Sequence, residues 1–430
     1  FWAGSAGILD VTRPEAVQWM WPFYQKQLDL GVAGFWCDSG EPENHPLGMR
    51  HALGTAEEVH NLYSNLWARD LYRSFRKRDS VNRWFNLIRS GYAGMQRYAT
   101  FPWSGDVSRT WEAFRAQPMI MLGAGLSGIG YMHSDLGGFT GGPRDPELFQ
   151  RWLQMGSFVP IMRVHGDATG FAPEPVFFDE KTQEIALKAI NLRYQLLPYN
   201  YTLAWENHQT GAPLVRPMWF HFPEDSVCAR LDDQYLWGEN LLVAPIFKKG
   251  ATSRKIYFPH GCWYDLYSGE KLIGNGWQEV EVTSEQIPVF VKGGSIIPIG
   301  NILSNTAEDD PARWALHVYP DENMNATGQR YLDDGQTVGS ANNNFLLSRA
   351  RFFVEGKKGA LVFETEGPGY PQMPTEQVID MIVHDPNDQI AKSNCLRVSE
   401  SEQWKQKTWI GRLIWEGKTV RKRWKARPQD

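Results

Sequence analysis

A parallel α/β fold in the first half of the chain, either a barrel or a doubly wound sheet, followed by β-sandwich-like domains, is the class that this sequence predicts. Residues 1–210 alternate short apolar runs with amphipathic helical stretches, and polar residues stand where the apolar runs end. Beyond Gly211 the texture changes to short β-rich runs separated by Pro-His-Gly, Ser-Gly and Gly-Gly turns. At 430 residues the chain is too long for one compact core. The pattern divides it into units 1–210, 211–311 and 312–430, with an insertion near 42–80.

A short strand is expected at 4–9. Thr12, Pro14 and Glu15 then supply a capping box, with Pro at the first helical position, for a helix that stops at Gly31. A strand at 32–37 ends on Asp38. Residues 44–80 are helical in character, Trp84–Ser90 opens the next unit, and Ala99–Trp103 reads as a strand before a helix near 107–116. Met119–Met121 and Ile129–His133 continue the alternation, and Lys181–Leu197 is an amphipathic helix closed by Pro198. In the β-rich part the runs are Leu241–Ile246, Lys255–Phe258, Cys262–Tyr267, Val289–Val291, His317–Tyr319, Arg330–Leu332 and Ala350–Val354. A closing hairpin is expected to join Trp409–Trp415 to Thr419–Ala426 through Glu416-Gly417-Lys418.

Composition excludes several classes of function. With 44 basic against 49 acidic residues and a net charge of −5, no large positive field exists to attract nucleic acid or an anionic membrane surface. The basic run Arg421–Arg427 reads as the exposed face of a final strand. No run reaches the roughly 18 apolar residues of a membrane span. Cys37, Cys228, Cys262 and Cys395 stand far apart without metal-ligand spacing, so neither a zinc site nor a disulfide framework is indicated. Asp321–Asn325 imitates a calcium loop but lacks its glycine and terminal Glu, and reads as a polar turn. The 19 Trp, 16 Tyr and 22 Phe suit stacking on sugar faces as well as core filling.

In a parallel barrel the reactive groups project from the C-terminal ends of the strands. Asp38 ends one apolar strand, although an Asp there also serves to start a turn on Ser39-Gly40. Asp106 follows a second strand and stands just ahead of a helix, where, taken alone, an N-cap is the stronger reading. Asp135 precedes Gly137-Gly138, and Arg163 and His165 project to one side of an extended segment. Two carboxyl groups flanking one bond are the requirement of glycoside hydrolysis, about 5–5.5 Å apart for retention of configuration and wider for inversion.

In chain order, GFWCDSGEPE, RYATFPWSGD, GLSGIGYMHSDLGGF, RWLQMGSFVPIMRVHG and LRYQLLPYNYTLAWE resemble the motifs of glycoside hydrolase family 31. The resemblance implies a (β/α)8 barrel with a proximal and a distal C-terminal β-sandwich, a retaining mechanism on α-linked sugars, and no metal or other cofactor. Carried over motif by motif, it implies Asp38 as nucleophile and Asp106 as acid/base. Arg89, Asp135, Arg163 and His165 would hold the donor sugar, with Trp103 packing beside it. Cys37, Ser39 and Gly40 depart from the Asp-Met-Asn-Glu form of many α-glucosidases. The DSGEPE form, with YMHSDLGGF and LLPYNYTLAWENHQTGAPLVRPM, is similar to the oligosaccharide 4-α-glucosyltransferase branch. It implies glucosyl transfer between α-1,4-gluco-oligosaccharides, with Phe101–Trp111 and the insertion carrying His45 as candidate acceptor platforms.

The alternatives are a hydrolytic α-glucosidase, an α-xylosidase or α-galactosidase, and a non-catalytic sugar-binding relative; the presence of both Asp38 and Asp106 speaks against the last. An oligosaccharide substrate suits a periplasmic or secreted setting. The family's nucleophile follows the fourth barrel strand, whereas one strand is read here before residue 32, so the barrel is expected to lack its first strands and the chain to be an N-terminally truncated fragment of a longer protein.

Overall fold

The computed structural model describes residues 4–167, 172–355, 358–374, 377–384, 396–401, 404–415 and 420–425. Its first half is an arc of parallel strands with helices on the outside. Gly34–Cys37, Phe85–Ile88 and Thr100–Pro102 pair in parallel, with Trp36 opposite Leu87 and Leu87 opposite Phe101. Parallel bridges from Trp103 to His133 and from Leu136 to Val164 carry the arc through two more segments. Close approach at its start requires glycine, because a Cβ on Gly34 would stand 2.4 Å from the carbonyl oxygen of Phe85.

The helices follow the sequence signals with instructive exceptions. Pro14–Asp29 begins on Pro14, as expected, but its N-cap is Arg13 without a side-chain bond. The Thr12 hydroxyl donates to Asp10 instead, so the expected capping box does not form. Residues 4–9 form no strand among the described residues; Ile8, Leu9 and Val11 pack on Val59 and Tyr63, and the Tyr63 hydroxyl donates to the Leu9 carbonyl at 2.7 Å. Within the insertion, Ala56–Arg78 carries a complete capping box made by Thr55 and Glu58.

The helix expected near 107–116 runs from Trp111 to Leu126 and absorbs Met119–Met121, of which Met121 is buried while Met119 and Ile120 stay exposed. Pro146–Gly156 is a helix that the sequence reading passes over, although Leu148, Phe149, Trp152 and Leu153 recur at helical spacing between polar residues. Pro198 does not simply end a helix: Glu180–Gln195 stops at Leu196, and Pro198 sits in the first turn of a new helix, Leu197–Thr210, where its missing N–H is not needed.

An antiparallel sheet and a mixed sheet follow. The first contains Val215–Arg216, Tyr235–Trp237, Leu241–Val243, Ser253–Asp265, Lys271–Glu281 and Val289–Lys292. The runs 255–258 and 262–267 largely merge into one long strand, Ser253–Asp265. Its central strands are apolar on both faces. Tyr235, Trp237, Leu241, Val243, Val289 and Val291 join the core under the barrel helices, while Leu236, Leu242, Ile256, Phe258 and Phe290 form a second cluster behind them.

The second sheet has nine strands and starts at Ser295–Ile299, which pairs with Arg313–Tyr319. By hydrogen bonding, that strand belongs to the sheet expected to begin at 312, since a run of apolar residues does not disclose which sheet it joins. The closing hairpin is not formed. Trp404–Trp415 pairs with Gln377–His384 and Leu396–Ser401, whereas Val420–Lys425 pairs with Lys358–Gly369 at the far end of the sheet. Turn signals report local reversal and cannot identify such long-range partners. The linking residues 416–419, the end of the basic run at 426–427, and Cys395 lie outside the described residues. Cys37, Cys228 and Cys262 are buried free thiols. The Asp321 carboxylate accepts from the N–H groups of Asn323 and Asn325, closing the polar turn.

Barrel and second sheet are tied by a buried polar cluster. Asp333 accepts from Arg83, Tyr201 and Tyr331 and from the backbone of Gly335, while Arg83 also reaches the Thr337 carbonyl at 2.7 Å. The Asp333 side chain is 2% exposed, so removing it leaves two phenols without their acceptor in the interior and deprives the partly exposed Arg83 of its carboxylate. Asp333→Ala is expected to cost about 3–5 kcal/mol of stability, read from the denaturant midpoint. A loss under about 1 kcal/mol would place this cluster among solvated surface pairs.

Candidate active site

Each of the five parallel segments delivers side chains at its C-terminal end. Asp38 follows Gly34–Cys37, Arg89 follows Phe85–Ile88, and Trp103 with Asp106 follows Thr100–Pro102; His133 with Asp135, and Arg163 with His165, lie at the two bridged segments. The arc therefore gathers all seven residues singled out in the sequence along one rim.

Asp38 is half exposed. One carboxylate oxygen, Oδ1, accepts from the backbone N–H of Ser39 at 2.8 Å and lies 3.2 Å from Arg89 Nε. The turn-starting bond and the rim position thus coexist, and Oδ2 has no hydrogen bond among the described residues. Ser39 has φ +54°, a left-handed conformation uncommon for a residue with a side chain. Behind the rim, Cys37 Sγ lies 3.1 Å from the Asn86 amide oxygen, and burial pushes its thiol up to about 12.

Arg89 is shared by three carboxylates. Its guanidinium makes a fork with Glu41 at 2.9 and 3.1 Å, bonds Glu43 at 3.0 Å, and pairs with Asp38. Glu43 also accepts from the Ser39 hydroxyl at 3.3 Å. The acids of GEPE therefore answer to Arg89, a relation that their spacing in the sequence does not disclose.

Asp106 does not cap the following helix. That position belongs to Thr110, whose hydroxyl accepts from the Ala113 N–H at 3.1 Å. The Asp106 carboxyl is raised above its ordinary value, first by burial and then by the neighbouring charges of Asp38 and Glu43, against the pull of Arg89 and His165.

Asp135 is fully buried and ion-paired to Arg163. Burial pushes its carboxyl up to about 7 against the pull of Arg163, and the charges of Asp106 and Asp38 add to the rise. Arg163 Nε donates to His133 Nε2 at 3.2 Å. That bond requires a lone pair on Nε2, and burial with the adjacent guanidinium holds His133 down to about 3, so the ring is neutral. Asp135 Oδ2 and Arg163 Nη1 remain buried without a hydrogen-bond partner among the described residues. Such an acceptor and donor, side by side, match a ligand hydroxyl.

The Arg163 guanidinium lies 4.9 Å from the Trp36 ring and 5.4 Å from the Trp103 ring. Trp36 meets Trp103 edge-on at 5.7 Å and His165 at 4.4 Å. His165 is lowered by burial and by Arg163, against the pull of Asp106 and Asp38. The Asp135 turn depends on glycine, because Gly138 has φ +86° and a Cβ there would stand 2.6 Å from Arg109 Cα.

Sequence reasoning overlooked Trp36, Glu41, Glu43 and His133. An aromatic left exposed two positions before a strand-end acid could have pointed to Trp36; for His133 no local signal existed. The proposed acceptor platforms fare differently. Phe101 packs on Phe85 and Tyr131, and Trp111 donates to Asp145, so those rings are occupied in packing. His45 is engaged with His51 and His60. No group of three or more metal-ligating side chains that could hold a metal is present among the described residues. No helix among them is long and apolar enough to cross a membrane.

Comparison with known proteins agrees with the geometry. The family model described as the glycosyl hydrolases family 31 TIM-barrel domain matches residues 1–203, and that of the family 31 C-terminal domain matches residues 211–297. An alpha-glucosidase 2 of Bacillus thermoamyloliquefaciens is 35% identical over 385 residues, 86% of this chain and 48% of that protein. An alpha-xylosidase of Saccharolobus solfataricus is 36% identical over 340 residues, 76% of this chain and 46% of that protein. Among solved structures, a Flavobacterium johnsoniae GH31 dextranase complexed with glucose superposes with a TM-score of 0.91 at 31% identity, covering 99% of this chain and 57% of that one. The chain spans about half the length of the curated relatives it matches.

Proposed function

Because this chain belongs to glycosyl hydrolase family 31, we propose that it forms the core of a retaining α-glycosidase-type enzyme that works through a covalent glycosyl ester on Asp38. One observation carries the reading: Asp38 and Asp106 stand on one rim in opposite environments. Asp38 has one oxygen held by two donors and the other free, whereas Asp106 is pushed toward its protonated form.

In the first step Asp38 Oδ2 bonds to the anomeric carbon while the glycosidic bond breaks, and the leaving oxygen takes the Asp106 proton. In the second, Asp106 removes a proton from the incoming hydroxyl, which attacks the same carbon and releases Asp38. Arg89 supports the carboxylate: its Nε and Nη2 are engaged by Asp38, Glu41 and Glu43, so we read it as holding the nucleophile, with Nη1 left to reach the sugar. Asp135 and Arg163 offer the unpaired acceptor and donor to sugar hydroxyls, and Trp36, Trp103 and His165 wall the same space. No step requires a metal or cofactor.

Transfer of a glucosyl group between α-1,4-gluco-oligosaccharides is the reading we favour, on the DSGEPE form of the nucleophile loop. Hydrolysis is the second reading, supported by the relative named an alpha-glucosidase. Both share the ester and differ in whether an acceptor sugar outcompetes water at about 55 M, which needs oriented binding worth several kcal/mol. Incubated with maltotetraose alone, the protein carrying this chain is expected to yield longer and shorter oligosaccharides together, with little glucose. Stepwise shortening with glucose as main product would assign it to hydrolysis, and release of β-configured sugar would overturn the retaining mechanism itself.

A further inference from the structure

Three histidines outside the catalytic rim form a continuous string. His45 Nε2 lies 2.7 Å from His51 Nε2, and His45 Nδ1 lies 3.1 Å from His60 Nδ1. His51 Nδ1 in turn lies 3.1 Å from Asp10 Oδ1. Asp10 is itself fixed by the N–H groups of Thr12 and Ala52. Four pieces of chain meet there: the 8–12 segment, the loop after Asp38, the short hairpin of Arg50–His51 with Gly54–Thr55, and the helix Ala56–Arg78.

The loop held by this string is the one that carries Glu41 and Glu43, the two acids that fix Arg89 beside Asp38. We propose that His45, His51 and His60 are positioning residues, a protonation-sensitive clasp that holds the 38–51 loop and thereby the Arg89–Asp38 pair. The link to Asp38 rests on the function proposed above, whereas the clasp itself does not.

Proton counting sets how the string behaves. With Asp10 ionised, His51 donates from Nδ1 and accepts on Nε2, His45 donates from Nε2 and accepts on Nδ1, and His60 donates from Nδ1. All three rings are then neutral and every internal bond has one hydrogen. One further proton fits on the outer Nε2 of His60. A second sets two N–H groups face to face at bond distance and parts the string, so opening takes up two protons and is steep in pH.

The groups facing the string are Asp10 and Tyr63, and beside it Arg50 attracts Glu58. Burial, although it raises Asp10, is outweighed by the bonds from Thr12, Ala52 and His51, which hold that carboxyl low. The Tyr63 phenol is pushed up to about 12, first by burial and then by Asp10, and stays neutral. His45 is lowered by burial, then by His51 and His60. A depressed histidine stabilises the closed form above its ordinary value of about 6.5, and that contribution is lost as pH falls below it.

Hydrogen exchange of the whole protein, corrected for the intrinsic pH dependence, reads the clasp without substrate. Amides of 41–53 are expected to lose protection at least about tenfold between pH 7.5 and 5.0, with strands 241–243 and 289–292 unchanged. In His45→Gln the loop is expected to be loose at both pH values, at an unaltered melting temperature, and His60→Asn serves as a second variant should the first fail to fold. Equal loop protection at both pH values in the unaltered protein, or the full pH dependence surviving in both variants, overturns the clasp. Turnover of an aryl α-glucoside at pH 7.5 tests the link to the rim: kcat/KM of His45→Gln should fall at least about fivefold, and an unchanged value with a loosened loop overturns positioning. If the unaltered protein turns over no glycoside, the proposed function fails while the exchange result still decides the clasp.

Discussion

Asp38→Ala is expected to abolish turnover of every glycoside tested, activated or natural, by a factor on the order of 10^4 or more, because without the carboxylate no ester can form. The structure separates this loss from unfolding. Asp38 is half exposed and contributes one bond to the Ser39 amide and one ion pair to Arg89. Arg89 keeps its fork to Glu41 and its bond to Glu43, so the stability change should stay within about 1 kcal/mol. A variant that melts normally and makes no product places the defect in chemistry. Activity within about tenfold of the unaltered protein would reduce Asp38 to the turn-starting residue that its bond to Ser39 also describes.

How much of this was legible beforehand depends on the range of the interaction. The alternation of apolar runs and helices in residues 1–210 disclosed a parallel α/β architecture, because hydrophobic period and strand-end polarity are local properties. Asp38, Asp106, Asp135, Arg163 and His165 could be singled out for the same reason, since each stands at or just beyond an extended run, whereas Arg89 was implied only by the resemblance. Long-range relations were hidden. That Val420–Lys425 pairs with Lys358–Gly369 rather than with its neighbour Trp404–Trp415 depends on partners far apart in sequence, at the opposite end of the sheet. That Thr110, and not Asp106, caps the helix depends on where that helix starts. The imidazole string needs four pieces of chain to meet, and His45, His51 and His60 carry no spacing that signals it.

The rim also shows why two aspartates with identical side chains diverge. Asp38 accepts from the Ser39 N–H, pairs with Arg89 and leaves Oδ2 without a hydrogen bond among the described residues. Asp106 accepts no hydrogen bond among the described residues and feels Asp38 and Glu43 as like charges. Arg89 is drawn toward Glu41 and Glu43 as well, which leaves this cluster with more negative than positive charge. In the mechanism proposed above, burial and these like charges keep a proton on Asp106 for the leaving oxygen, while Asp38 presents its free Oδ2 to the carbon.

Asp106→Ala should divide substrates that the Asp38 variant does not. Natural oligosaccharides leave as alkoxides that need a proton, so their turnover is expected to fall by about 10^2–10^4-fold. A nitrophenyl α-glucoside leaves unaided, so its first step survives and the ester on Asp38 accumulates as a burst of nitrophenol. With no base to activate water, the ester waits for a nucleophile that needs none, and added azide should restore turnover and yield an α-glycosyl azide. If Asp106 supplies the proton as proposed, ionisation of its raised carboxyl should set the alkaline limb of kcat/KM, and that limb should vanish for the activated substrate in the variant. Thr110 keeps the helix Trp111–Leu126 capped in either case, so a stability loss cannot mimic the pattern. Equal losses on both substrate types, with no burst and no azide product, would remove Asp106 from the chemistry and leave the acid/base role to another carboxyl on the rim, of which Asp135, raised to about 7, is the next in line.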